Sequence, residues 1–272
     1  MGTAEGGGLH REVEVELLLA LPEATSGALA IALARGLPTV GETLTLESSG
    51  GEVVSAEHAD AHGTRLRLFD APAGDLRIAY RAAIEGRAPE ATADAGDRFV
   101  GIRPSRYAPS DALGELARSE FGGLRGVELV HAVGDWVHSR LEYDPGATTP
   151  TGGALETLDA GRGVCRDYAH LVAALLRALD VPARVVAVYA PGLRPPDFHA
   201  VVEALVGDRW LVVDATRLAP RATMARIATG RDAADTAWIT TTGADIEVRE
   251  MSVRASADPL PSEDPTAPVA LG

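Results

Sequence analysis

The chain holds one cysteine, Cys165, in the run Gly161-Arg162-Gly163-Val164-Cys165-Arg166-Asp167-Tyr168. The glycines mark a turn and the spacing after them is helical, so the thiol falls in the first turn of a helix. Downstream, His199 stands in Asp197-Phe198-His199-Ala200 and Asp214 in Val212-Val213-Asp214-Ala215-Thr216. A thiolate is a nucleophile, a histidine can take its proton, and a carboxylate can orient the imidazole and stabilise its cation. The free amides at a helix N-terminus favour the thiolate. The backbone N–H of Cys165 can donate to an oxyanion that develops on an attacked carbonyl.

The placement of His199 and Asp214 follows from strand parity. If Gly207-Asp208 is a two-residue hairpin loop, Val206 faces Arg209, His199 faces Thr216 and Asp214 faces Val201. His199 and Asp214 then share one face as diagonal neighbours, ~7–8 Å apart at the backbone, which the two side chains can bridge. A slip of one residue would separate them. The other face carries Phe198, Ala200, Val202, Ala204, Leu211 and Val213, an apolar set suited to a core.

Trp136, Tyr143 and Asp167 are candidates for lining a substrate groove or completing an oxyanion site. Core packing is the simpler role for the two aromatics, and helix capping or pairing with Arg166 for Asp167. His170 lies five positions after Cys165, on another side of the helix, and reads as structural. Cys165, His170 and His199 lack a recognisable ligand spacing, so no metal is expected, and no cofactor either.

From His10 to about Gly86 the chain alternates. Val13, Val15 and Leu17 interleave with Glu12, Glu14 and Glu16, and Ser49-Gly50-Gly51-Glu52 reads as a hairpin turn. A small β-sandwich is expected over 9–86, and a Pro- and Ala-rich linker over 87–108. Residues 109–254 should form the catalytic domain. Within it Val127, Val130, Val133, Val137 and Leu141 trace one helical stripe, and Leu171, Leu175 and Leu179 another. Strands are expected at Arg184 to Tyr189, Phe198 to Val206 and Arg209 to Ala215, with two more at Ala237 to Thr241 and Ile246 to Val253. Residues 1–8 should be loose, and the acidic, Pro-rich tail 255–272 disordered.

The 272 residues carry 25 Lys+Arg against 39 Asp+Glu, a net charge of −14 that disfavours a nucleic-acid partner. A lone cysteine excludes an internal disulfide and fits a reducing cytoplasm. No signal peptide or membrane-spanning run is evident. The chain contains no Lys, Asn or Gln.

At these residues the chain resembles the bacterial transglutaminase-like cysteine enzymes. The likeness rests on Gly163-Val164-Cys165-Arg166-Asp167-Tyr168-Ala169-His170-Leu171, Val181-Pro182-Ala183-Arg184, Asp197-Phe198-His199-Ala200, and Trp210 with Asp214-Ala215-Thr216. It extends to Arg226 through Asp235, to Pro104-Ser105-Arg106-Tyr107 with Pro109-Ser110-Asp111, and to the β-rich N-terminal region. The resemblance implies Cys165 as nucleophile, His199 as general base and acid, and Asp214 as orienting acid. It implies an α+β fold, with a papain-like core in which the Cys-bearing helix packs on an antiparallel sheet. Two positions depart from many relatives: Val201 stands where they have Trp, and Ala215 where they have Pro.

The expected substrate is a protein or peptide, attacked at an amide to give a thioester. Water would resolve that thioester as a peptidase, amidase or isopeptidase does, and this is the favoured outcome. An amine would make a transglutaminase. A non-catalytic peptide-binding module is the third reading, and the three groups together weigh against it. Without Gln or Lys the chain cannot cross-link itself through Gln–Lys bonds. The oligomeric state is left open.

Overall fold

The computed structural model describes residues 8–272. Of the segment 1–8, expected to be loose, all but Gly8 lie outside the described residues. Seven strands come first: β1 (His10–Leu21), β2 (Thr25–Leu29), β3 (Thr39–Ser48), β4 (Gly51–Glu52), β5 (Ser55–Ala59), β6 (Arg65–Ala71) and β7 (Gly74–Glu85). Three helices follow: α1 (Asp97–Val100), α2 (Gly114–Phe121) and α3 (Gly126–Arg140). Next come β8 (Glu142–Tyr143), α4 (Ala154–Ala160), β9 (Arg162–Gly163) and α5 (Cys165–Ala178). The chain continues through β10 (Ala183–Tyr189), β11 (Phe198–Val206), β12 (Arg209–Val213) and β13 (Ala225–Gly230). It closes with α6 (Ala233–Thr236), β14 (Ile239–Thr242) and β15 (Glu247–Asp258).

Two sheets form the sandwich, in the orders β15-β1-β7-β3-β4 and β14-β2-β6-β5. Alternation decides its core. Val13, Val15, Leu17, Leu19 and Leu21 of β1 point in beside Leu76, Ile78, Tyr80 and Ile84 of β7, while the intervening charges point out. The turn expected at Ser49-Gly50-Gly51-Glu52 joins β3 to β4, with Ser48 facing Gly51.

The second body is a four-stranded antiparallel sheet, β12-β11-β10-β13, packed on α5. Leu171, Val172, Leu175 and Leu176 of α5 meet Val185, Val202, Ala204 and Val213 of the sheet. Leu129, Val130, Val133 and Val137 of α3 join the same core, where the valine and leucine stripe required them. Strand β13 is an addition to the sequence-based expectation.

Three boundaries differ from those read in the sequence. Strands β14 and β15 were assigned to the catalytic domain, yet β15 pairs with β1 along its length and β14 pairs with β2. The alternation of 247–258 suits a sandwich edge as well as a catalytic one, and only long-range pairing decides between them. The linker 87–108 is packed: Thr92 bridges Arg209, and Tyr107 stacks on His170 at 5.3 Å between centroids. The tail beyond Asp258 is also ordered against the sheet. Val212 N–H donates to Val269 O at 2.7 Å, Leu271 is buried, and the Arg221 guanidinium donates to Asp264 O and Ala267 O.

The two bodies share a core. Tyr189, Ala225 and Ile227 of the catalytic sheet are buried with the sandwich residues. The Tyr189 hydroxyl donates to Ile31 O at 2.6 Å, and Ala34 N–H donates to Arg226 O at 2.9 Å. No helix among the described residues is long and apolar enough to cross a membrane.

Candidate active site

The thiol is delivered by a short, constrained turn. Gly161, with φ +67°, ends α4, and β9 then pairs with β8 so that Gly163 lies beside Tyr143. A Cβ on Gly163 would come within 2.7 Å of the Asp167 carboxylate, so only glycine fits there. The Asp167 carboxylate accepts from Val164 N–H at 2.9 Å and thereby closes the first turn of α5. Cys165 follows directly, half-buried, at the first position of the helix.

His199 and Asp214 meet at the corresponding end of the sheet. The register is the one deduced from the Gly207-Asp208 loop: Val206 faces Arg209 and Val202 faces Val213. The ladder stops there, so His199 does not pair with Thr216. Thr216 instead folds back onto Asp214, donating from its backbone N–H at 2.9 Å and its hydroxyl at 2.7 Å to Oδ1. The other oxygen, Oδ2, bonds His199 Nε2 at 2.9 Å. Both side chains are sealed from solvent, and His199 Nδ1 has no hydrogen-bond partner.

Burial by itself would push the His199 imidazole down. The charge and hydrogen bond of Asp214, with the neighbouring Cys165 thiol, outweigh burial and raise it to about 10. Asp214, despite burial, is held below the usual carboxylate range by His199 and by the two Thr216 donors. The pair therefore favours imidazolium and carboxylate together. Asp214 occupies Nε2, which leaves Nδ1 as the nitrogen available to the thiol.

The face expected to be reactive is itself packed away from this end. Val201 and Val212 are buried with Val186, Val188, Met224 and Leu271 of the tail. On the other face Ala200, Val202 and Val213 meet α5 as expected, but Phe198 leaves that core and stacks on Trp238 at 6.0 Å.

The remaining candidates divide. Tyr143 is at the site: burial, then the charges of Cys165 and Asp197, raise its phenol to about 12. Trp136 is elsewhere. Its Nε1 donates to Glu120 at 3.0 Å, and its ring packs on Phe121 and under Arg140. Asp167 is buried on Val164 N–H and beside Arg166, and a carboxylate has no proton to offer an oxyanion, so it is a capping group. His170 is buried and kept neutral, lowered to about 4 mainly by burial, and accepts from Ala233 N–H at 3.1 Å.

Sequence reasoning missed two supports. Thr216 could have been found from the Asp-x-Thr spacing, a known local hydrogen-bonding pattern. Glu203 could not. It lies fully buried between Arg184 of β10, at 2.8 Å, and Arg226 of β13, at 2.6 Å, so the group joins three strands.

A family model for the transglutaminase-like superfamily matches residues 118–215, a span that contains Cys165, His199 and Asp214. A solved structure of a cysteine-protease candidate from Cytophaga hutchinsonii superposes with a TM-score of 0.83 at 32% identity, covering 92% of this chain and 90% of that one. An uncharacterised protein of Mycobacterium leprae is 28% identical over 170 residues, 57% of this chain and 60% of that protein. An uncharacterised protein of Mycobacterium tuberculosis is 33% identical over 108 residues, 39% of this chain and 32% of that protein. The chain thus spans less than two thirds of these mycobacterial relatives. It belongs to the transglutaminase-like superfamily, with the α+β fold of that group.

Proposed function

We propose that the chain is a cysteine acyl-transfer enzyme acting on peptide-type amides. The observation that carries the reading is the sealed His199–Asp214 pair, whose unpartnered Nδ1 is left to the half-buried thiol of Cys165. In this mechanism the Cys165 proton already rests on His199 Nδ1, as a thiolate–imidazolium pair, and the thiolate attacks the amide carbonyl. The C–N bond then breaks, the leaving amine takes the proton from His199, and a thioester remains on Cys165. Asp214 holds the imidazole by Nε2 throughout.

The oxyanion would be met by the Cys165 backbone N–H and by the Tyr143 hydroxyl. A phenol raised to about 12 stays protonated at neutral pH and can donate. Tyr143 is held there by the β8–β9 pairing, where Asp144 N–H donates to Gly163 O at 3.0 Å.

Hydrolysis of the thioester is the favoured outcome, with a protein or peptide as substrate. The likeness to a cysteine-protease candidate over nine tenths of both chains supports this choice. Transfer to an amine is the second reading, and its acceptor would be another molecule, because this chain has no Lys. A single thiol suits a reducing compartment, and we place the protein in the cytoplasm.

Iodoacetamide labelling near pH 6 tests the chemistry. Cys165 should react faster than a free thiol, and His199→Ala should remove the excess. Equal rates in the two proteins would favour a peptide-binding module that kept the fold. Incubating a peptide library with and without a primary amine separates the outcomes, since mass spectra showing only water addition would reject the transferase.

A further inference from the structure

Strand β15 closes one side of the five-stranded sheet. It pairs with β1 from Glu247 to Asp258, and its other edge has no partner among the described residues. A row of free N–H and C=O groups of this length is a template for another strand. The inner face of the strand is also incompletely covered. Met251 faces Leu17 and Val248 faces Leu19, and both leucines are fully buried. Yet Met251 is 45% exposed and Val248 44%, because nothing packs on their outer side.

The sequence of β15 selects its partner. Two copies can extend the sheet antiparallel about a two-fold axis perpendicular to it. Facing residues then lie on the same side of the continuous sheet, so the axis passes through a residue, not between two. An axis at Glu250 sets Glu250 against itself, and an axis at Arg254 sets Arg254 against itself; both are repulsive. Axes at Met251 or Val253 bring no charges together. An axis at Ser252 sets Glu250 against Arg254 twice and Met251 against Val253 twice. Glu250 and Arg254 both lie on the solvent side, opposite Leu18 and Glu14, so they can meet there. The bulge between Leu18 and Leu19 restricts the ladder to about Glu250 through Arg254.

We propose that β15 is a homodimer interface, in which a second copy of this chain adds its own β15 antiparallel about Ser252. The joined sheets would run through both sandwiches.

Sedimentation of the full chain up to about 100 µM, with a dissociation constant read from the monomer–dimer equilibrium, tests the surface. The wild type should dimerise. Glu250→Arg and Arg254→Glu should each weaken the dimer by about tenfold or more, and the double exchange should recover most of the loss. Circular dichroism of each variant establishes that the sandwich is intact. Register is tested separately in a Cys165→Ala background. Ser252→Cys should form a disulfide between copies at least about tenfold faster than Ser256→Cys, because only residue 252 meets itself. A monomeric wild type, a dimer indifferent to the charge changes, or equal rates for the two cysteines would overturn the proposal.

Discussion

On β1 the glutamates Glu12, Glu14 and Glu16 stand outward between five buried aliphatic residues, and β7 repeats the pattern with Arg77 and Arg81. On β11 and at the end of β12 the arrangement is reversed: His199, Glu203 and Asp214 are buried at 2%, 1% and 8% exposure. Both regions are antiparallel sheet, but the sandwich leaves one face of each sheet wet while the catalytic sheet is covered on both. α5 covers one face, and the tail helps to cover the other. A charge on a doubly covered strand must find a partner or stay neutral. His199 finds Asp214, and Glu203 finds Arg184 and Arg226. The sandwich buries a charge of its own, Arg11 of β1, and meets it with the backbone carbonyls of Met224 and Gly86, whereas the catalytic sheet gathers buried ion pairs, and the candidate site stands at the end of it.

The comparison breaks most sharply at Asp214. Asp214→Asn should lower peptide turnover by about 10³-fold or more, by removing the anion that holds and charges His199. The same substitution gives a pH signature. The folded imidazole is raised from 6.5 to about 10, so its contribution to stability is complete below pH 6.5 and is lost as pH rises toward 10. The melting-temperature gap between wild type and Asp214→Asn should therefore narrow between pH 6.5 and 10. A gap that stays constant would mean that the pair is not charged.

Glu203→Ala leaves two largely buried guanidinium groups without their shared anion. It should cost about 3–5 kcal/mol in denaturant unfolding. A loss under about 1 kcal/mol would show that water or nearby acids replace Glu203 readily.

In the sandwich the large effects should come from volume. Leu19→Ala, at a fully buried position, should cost about 2–4 kcal/mol by cavity formation. Below its melting temperature it should leave the labelling rate of Cys165 unchanged. Glu16→Ala should change stability by no more than about 0.5 kcal/mol, since its partner Arg81 is largely exposed. A larger loss there would remove the contrast between the two sheets.

Much of the site was legible because its spacing is local. The Gly-rich turn, the helix start at Cys165 and the two-residue loop at Gly207-Asp208 follow from neighbouring residues and strand parity. Those rules also placed His199 and Asp214 within reach of each other. Parity said nothing about where the ladder would end, so the pairing of His199 with Thr216 was expected and does not occur. Trp136 and Asp167 looked eligible by type, but Glu120 and Val164 N–H take their polar groups.

From the sequence alone came the periods: which residues face together, where helices start, and that one thiol, one imidazole and one carboxylate share an arrangement that can do chemistry. Tertiary structure decided which distant segments meet. It sent β14 and β15 back to the sandwich, laid the tail along β12, brought Tyr143 beside Cys165 and buried Glu203 between two arginines. The physical reason is range. Alternation and capping are settled within a few residues, whereas strand partners and buried ion pairs depend on which surfaces remain to be covered once the whole chain has collapsed.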